Sequence, residues 1–240
     1  MPKTKKKKKT NKKKKESLFI KYVKEFVQWS FIIMTILIIL GYYFWTTTQK
    51  KKPIFEKHNG KIPSVIISTE KNYGEKVEKY AHQFGLNASY LKALISLECS
   101  GRVHFKERFE PKVYTSLKNV RDKKTKKYGS IRYETIKDAS DDALRNLASS
   151  WGPFQLMGYQ SIELGVNVAD IRGNNAVYWG IYWINKRYGT YLKKHKYKDA
   201  FHIHNTGRPM PWHGKSFTYD PNYINNGIKY INYFDLIKKK

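Results

Sequence analysis

The sequence predicts a mainly α-helical domain interrupted by a small β or loop excursion, behind one N-terminal transmembrane helix. Three observations lead there. Apolar residues recur at helical spacing in successive stretches after residue 72. An uncharged run extends from Phe26 to Trp45. One cysteine, Cys99, in 240 residues excludes an internal disulfide and a cysteine-rich zinc site, so stability must come from a packed core. The 19 Tyr, 12 Phe and 6 Trp supply the material for that core and for an aromatic-lined groove.

Charge divides the chain unevenly. The formal total is +28, from 47 Lys plus Arg against 19 Asp plus Glu, and residues 1–25 alone hold 12 lysines against Glu16 and Glu25. This excess favours a polyanionic partner, whether nucleic acid, anionic lipid or an anionic wall polymer, and composition does not choose among them.

Residues 1–25 read as a disordered polybasic tail, self-repelling and without a hydrophobic period. Residues 26–46 read as a membrane span: at ~1.5 Å per residue the run covers the ~30 Å of hydrocarbon, and Trp29, Tyr42, Tyr43, Phe44 and Trp45 match interfacial aromatic belts. A cleaved signal peptide competes, but no small-x-small site precedes Lys50. Lysines are denser before the span than after it, which predicts a cytoplasmic N-terminus and an exported C-terminal domain. Residues 47–72, with Pro53, Gly60 and Pro63, read as a linker, and residues 73–240 as the domain.

Within the domain, Val77, Tyr80, Ala81 and Phe84 form a helical stripe stopped by Gly85. Leu91, Leu94, Ile95 and Glu98 form the next, with Asn87 as N-cap and Gly101 as stop. No period survives from Arg102 to about Lys137, so a surface excursion with one hairpin is expected. Ser140-Asp141-Asp142 caps a helix carrying Leu144 and Leu147. Asn174 opens a helix through Val177, Ile181, Ile184 and Tyr188 that Gly189 is expected to end. A short helix over Lys198–Ile203 leads into a turn at His204-Asn205-Thr206-Gly207, and Tyr223–Ile237 forms the last amphipathic helix.

The second stripe ends in a carboxylic acid. A carboxyl group on a last buried turn is desolvated, which disfavours the ionised form and keeps a proton available for donation. The ordinary alternative is an interfacial glutamate neutralised by Lys or Arg.

Four segments then stand in a telling order: Ala93-Leu-Ile-Ser-Leu-Glu98-Cys-Ser-Gly101, Ser150-Trp-Gly-Pro-Phe-Gln155-Leu-Met157, Asn174-Asn175, and Ala200-Phe-His-Ile-His-Asn205-Thr-Gly207. Together they resemble the lysozyme-like superfamily, in particular its goose-type lysozyme and soluble lytic transglycosylase branch and the related muramidases. The resemblance implies cleavage of the β-1,4 bond between N-acetylmuramic acid and N-acetylglucosamine in peptidoglycan, with Glu98 as general acid. It implies a sugar site formed by Ser150, Gly152, Gln155, Tyr178, His204, Asn205 and Gly207. Gln155 would hydrogen-bond acetamido or hydroxyl groups. Trp151, Tyr178 and Trp179 are candidate stacking platforms, with core packing the equal alternative.

The chain departs from the pattern at Cys99, where the family usually has Ser, and at His204, where transglycosylases usually have a Tyr that positions the machinery. A hydrolase also needs a second carboxylate. Glu110 is the first candidate and Asp122 the second, each equally readable as a surface salt bridge. A transglycosylase works with one carboxyl, the muramic acid's own 6-hydroxyl attacking. His202, His204 and His213 lack a persuasive ligand spacing, so no metal is expected. Cys99 reads as a small buried side chain, and no Gly-rich phosphate loop follows a strand. No cofactor and no nucleic acid are expected; glycan strands, the membrane, and anionic wall polymers or lipid are the expected partners. A non-catalytic glycan-binding or polyanion-binding membrane protein is the competing class.

Overall fold

A computed structural model describes residues 22–23, 25–43, 61–104 and 106–238. The chain divides into two units, Met1–Gly60 and Lys61–Lys240. Most of the expected basic tail, Phe44–Thr46 at the end of the expected span, and most of the expected linker lie outside the described residues, while Tyr22, Val23 and Glu25 of the tail expected to be disordered are helical.

In the first unit, helix α1 (Glu25–Tyr43) has 19 residues and a mean hydropathy of 1.8, long and apolar enough to cross a membrane. Its polar hydroxyls are satisfied within the helix. Ser30 donates to the Phe26 carbonyl at 2.8 Å and Thr35 to the Phe31 carbonyl at 2.8 Å, so neither would bring an unpaired group into hydrocarbon.

The second unit is mainly helical and is built around α3 (Ala88–Cys99). This helix is buried from Ala88 through Ser96, with α2 (Ser64–Phe84) and α11 (Tyr223–Lys238) as its main neighbours. Asn87 caps it as expected, its side chain accepting from the Tyr90 amide at 2.7 Å. Ser100 (φ 56°) and Gly101 (φ 69°) end it in the left-handed region.

Helix α2 corrects the expected linker, which does not reach residue 72. Pro63 is the N-cap, and Ile66 and Thr69 are fully buried. The apolar stripe is hidden in the sequence because its first turns mix Ile66 with Thr69 and Gly74. Thr69 becomes an acceptable core residue by bonding the Val65 carbonyl at 2.8 Å and Ser96 Oγ at 2.8 Å.

The stretch after Gly101 is also more ordered than expected. It carries β1 (Arg108–Phe109), α4 (Pro111–Arg121), the hairpin β2 (Lys127–Tyr128) and β3 (Ile131–Arg132), and α5 (Tyr133–Ile136). The hairpin was foreseen and α4 was not. Its buried face reduces to Leu117 and Val120 among charged neighbours, too few to mark a period. These two pack with Ile131, Ile136 and, from α6 (Asp141–Leu147), Leu144 and Leu147 into a small second core. Strands β4 (Ser149–Trp151) and β5 (Leu156–Met157) complete an antiparallel sheet in the order β1-β4-β5, with Arg108 opposite Ser150 and Ser150 opposite Met157.

Two short helices that the sequence did not signal, α7 (Gln160–Leu164) and α8 (Val168–Arg172), lead to α9 (Ala176–Lys193). Gly189 does not end α9. The helix kinks at Tyr188 (φ −147°, ψ 21°) and continues to Lys193. Helix α10 (Tyr197–Thr206) runs through His204 and Asn205, so these lie on a last helical turn and not in a loop, and Gly207 (φ 78°) ends it. The main core joins α2, α3, α9, α10 and α11.

Candidate active site

Glu98 sits one residue before the end of α3, where the chain reverses against α2. Gly101 packs onto Thr69 so closely that a Cβ there would lie 2.5 Å from the Thr69 amide nitrogen. Asn72 donates to the Gly101 carbonyl at 2.8 Å and Tyr73 to the Arg102 carbonyl at 2.7 Å. The helix end is therefore clamped, and the Glu98 side chain, 17% exposed, is held at a fixed place at the surface of the core.

Four side chains surround the carboxyl group. Tyr223, at the first turn of α11, donates a hydrogen bond from its hydroxyl to Glu98 Oε1. His204 Nε2 stands 3.9 Å from the same oxygen. Tyr90 and Tyr188, both fully buried, lie near enough to feel its charge. No hydrogen bond reaches Glu98 Oε2 among the described residues.

The proton inventory follows from chemistry. A carbonyl only accepts, so the 3.0 Å contact between His204 Nε2 and the Phe154 oxygen fixes the ring proton on Nε2. Burial pushes the imidazole pKa below its ordinary 6.5, outweighing the nearby Glu98 charge and the Phe154 hydrogen bond, which favour protonation. The neutral ring then accepts at Nδ1 from the Tyr188 hydroxyl at 2.8 Å. His204 and Glu98 are thus not an ion pair. Tyr188 and Tyr223 are held well above the usual phenol range, first by burial and then by neighbouring tyrosines or the Glu98 charge, so both remain donors. The buried Tyr90 hydroxyl lies beside Tyr188 but outside hydrogen-bond geometry, and has no partner among the described residues.

The β4–β5 turn forms the adjoining segment. Phe154 packs so tightly on Gly180 of α9 that a Cβ there would overlap its ring, and this contact presents the Phe154 carbonyl to His204. Gln155 takes a left-handed conformation (φ 49°), and its side-chain amide folds back onto its own turn. Oε1 accepts from Ser150 Oγ at 2.8 Å, and Nε2 donates to the Gly152 carbonyl at 3.2 Å. One Nε2 proton and one Oε1 lone pair remain for a ligand. Gly152 (φ 71°) closes against the Ile171 carbonyl, 2.5 Å from where a Cβ would stand. Ser150, Trp151 and Gly152 also line a cavity of about 390 Å³.

The other expected site residues disperse. Asn205 and Gly207 are exposed, directly after His204. Tyr178 packs edge-on to Tyr80 (5.3 Å) and tilted against Phe84 (5.8 Å) of α2, so this ring serves the α2–α9 packing seam, and Trp179 packs edge-on to Tyr182 (5.7 Å) on its own helix. Glu110 occupies the N-cap position of α4 without a side-chain capping bond and pairs with Arg108 at 2.8 Å; Asp122 pairs with Arg121 at 3.0 Å. Burial raises the Cys99 thiol to about 11, the state of an inert core cysteine. His202 is fully buried and latches the following loop, donating from Nδ1 to the Arg208 carbonyl (2.6 Å) and accepting at Nε2 from the Phe217 amide (3.2 Å). Among the described residues no group of three or more His, Cys, Asp or Glu is arranged to hold a metal ion.

Sequence reasoning missed Tyr223, Tyr188 and the Phe154 carbonyl. The available signal was an aromatic at the start of the last amphipathic segment, which gave no hint of a partner 125 residues away. No protein-family model, curated protein or solved structure matches the chain.

Proposed function

We propose that the domain is a lysozyme-like peptidoglycan glycosidase, with Glu98 as the general acid that protonates the glycosidic oxygen between N-acetylmuramic acid and N-acetylglucosamine. The observation that carries this reading is the Tyr223–Glu98–His204 arrangement: a carboxyl group at the core surface with one oxygen held by a phenol and the other free. In the proposed reaction, a proton placed on Oε2 passes to the leaving oxygen as the C1–O bond breaks. The Tyr223 hydroxyl then stabilises the carboxylate that forms.

The reading favoured for the second half of the reaction is that of a lytic transglycosylase. The two candidates for a second carboxylate, Glu110 and Asp122, are each paired with an arginine. The muramic acid's 6-hydroxyl attacks C1 and returns its proton to Glu98, closing a 1,6-anhydro ring and restoring the acid. Helix α1 is the proposed single-pass anchor, with a cytoplasmic N-terminus and the domain on the wall side, where its basic surface meets anionic wall polymers.

The test is digestion of purified sacculi followed by mass spectrometry. A 1,6-anhydro muramic end is expected from the parent protein and none from Glu98→Gln, which should keep its fold and its glycan binding. Reducing muramic ends would indicate hydrolysis and bring Glu110 back as the second carboxylate. Equal clearing by parent and Glu98→Gln would refute the enzyme assignment.

A further inference from the structure

The β4–β5 turn that holds Gln155 also forms one wall of the 390 Å³ cavity, at the small end of ligand-sized clefts (roughly 300–1,000 Å³). Ser150, Trp151 and Gly152 make this wall, Arg172 at the end of α8 makes a second, and Val103 and Glu107 make a third. Ser150 links the cavity to the candidate active site, because its hydroxyl bonds Gln155 Oε1 at 2.8 Å.

Two charges face this space without partners. The Arg172 guanidinium lies over the Trp151 ring, 5.2 Å from its centroid, and meets no carboxylate or carbonyl among the described residues. Glu107 likewise has no cation among them. A guanidinium stacked on an indole is oriented in advance and keeps its fork of donors free, which suits a planar carboxylate. The indole is itself fixed, its Nε1 donating to the Asn146 carbonyl at 2.8 Å. Glu107 makes the cavity a poor host for a polyanion and a good one for a single carboxylate flanked by amide N–H groups.

We infer that this cavity is a subsite for the carboxylate-bearing substituent of a muramic acid residue, gripped by Arg172 against Trp151, with Glu107 accepting from a neighbouring amide. The inference rests on the glycosidase reading above and deepens it: Arg172 distinguishes a muramic-acid-containing strand from a neutral polymer of N-acetylglucosamine. The carboxylate belongs either to the lactyl ether or to the peptide attached through it.

The experiment uses the full-length chain in detergent, in the Glu98→Gln background so that ligand is not consumed, with binding followed by calorimetry. Three probes are titrated: a peptide-free muramic tetrasaccharide with free lactyl carboxylates, its peptide-bearing form, and a neutral N-acetylglucosamine tetramer. Arg172→Gln should weaken a carboxylated probe by about tenfold or more and leave the neutral tetramer unchanged. Loss with the peptide-free probe assigns the contact to the lactyl group; loss confined to the peptide-bearing probe assigns it to the peptide. Glu107→Gln should bind the peptide-free probe at least as tightly as the background protein does.

Equal binding of all three probes with and without Arg172 overturns the inference. So does an equal loss for the neutral tetramer, which would make Arg172 a wall support, or a loss in Glu107→Gln as large as that in Arg172→Gln, which would make the two a structural pair. If the background protein binds no glycan at all, the glycosidase reading falls and the subsite with it. Glycan binding that ignores Arg172 removes the subsite alone.

Discussion

His204 gives its Nε2 proton to the Phe154 carbonyl at 3.0 Å while standing 3.9 Å from Glu98 Oε1. One neutral ring therefore ties the β4–β5 turn to Tyr188 at the kink of α9, and it does so beside the candidate acid. Three segments distant in sequence meet at this imidazole, which works through its shape and hydrogen bonds and not through charge.

This arrangement predicts a pH dependence of stability. The unfolded chain binds a proton on His204 with an ordinary pKa near 6.5, whereas the folded chain resists it because of burial. Below the unfolded value the unfolded state holds more protons, so the stabilisation present above about pH 6.5 is lost as pH falls toward the folded value. Urea unfolding between about pH 7.5 and pH 5.5 should show a falling midpoint in the parent protein. His204→Gln should be less stable at neutral pH and show a shallower fall. Parallel curves for the two proteins would mean that His204 is protonated in the fold.

Tyr223→Phe removes the one donor to Glu98 Oε1 without changing shape. If that donor stabilises the carboxylate formed on proton transfer, kcat on isolated glycan should fall by roughly 10–1,000-fold, the scale of losing one oriented donor. KM should change little, since the phenol bonds the acid and not the sugar. An unchanged kcat, or a change confined to KM, would remove Tyr223 from the proton-transfer step.

Legibility in the sequence followed the range of the interactions. The stripe ending at Glu98, its Asn87 cap and the Ser140 cap are written in local spacing, because a helix brings i, i+3 and i+4 onto one face and a cap reaches only three residues. Helix α4 and the first turns of α2 were hidden because their buried faces rest on few apolar residues or on buried Thr69. The donor to Glu98 was hidden for another reason: nothing local marks a tyrosine whose partner lies on another helix. The fold also redirected some expected roles. Gln155 spends much of its amide capacity on Ser150 and Gly152, and Tyr178 spends its ring on α2.

Gly101 tests the clamp that positions Glu98. At φ 69° with Thr69 pressed against it, an alanine suffers both left-handed backbone strain and a backbone overlap. Gly101→Ala should lose roughly 2–5 kcal/mol of stability, read as a lowered urea midpoint, by the sum of strain and overpacking. Activity measured well below the midpoint should also fall, because relief of the overlap moves the end of α3. The control is Gly85→Ala, also at positive φ (62°) but with open space around its Cβ position. It should cost only the strain, about 1–2 kcal/mol, and leave activity intact.

Lys92 tests what holds α2 to α3 away from the site. It is 3% exposed as a residue, and its ammonium lies 2.9 Å from both Glu70 and Glu78 and 5.4 Å from the centre of the Phe234 ring. Burial alone would raise the Glu78 pKa, but the Lys92 hydrogen bond and charge, helped by Lys238, hold it below the ordinary 4.5. A carboxylate with a depressed folded pKa stabilises the fold above its unfolded value and loses that contribution as pH falls through the folded value. Both glutamates are more than one third exposed, so they can rehydrate when the lysine is removed. Lys92→Met, similar in volume and free of desolvation cost, should therefore keep a stability near that of the parent at neutral pH. Its difference from the parent should appear on acidification below about pH 4.5, where the parent loses the full Glu78 contribution and the variant only the smaller part that Lys238 supplies. Chemical denaturation of both proteins across that range is the measurement; a variant that loses stability as steeply as the parent would show that Lys92 is not what depresses Glu78.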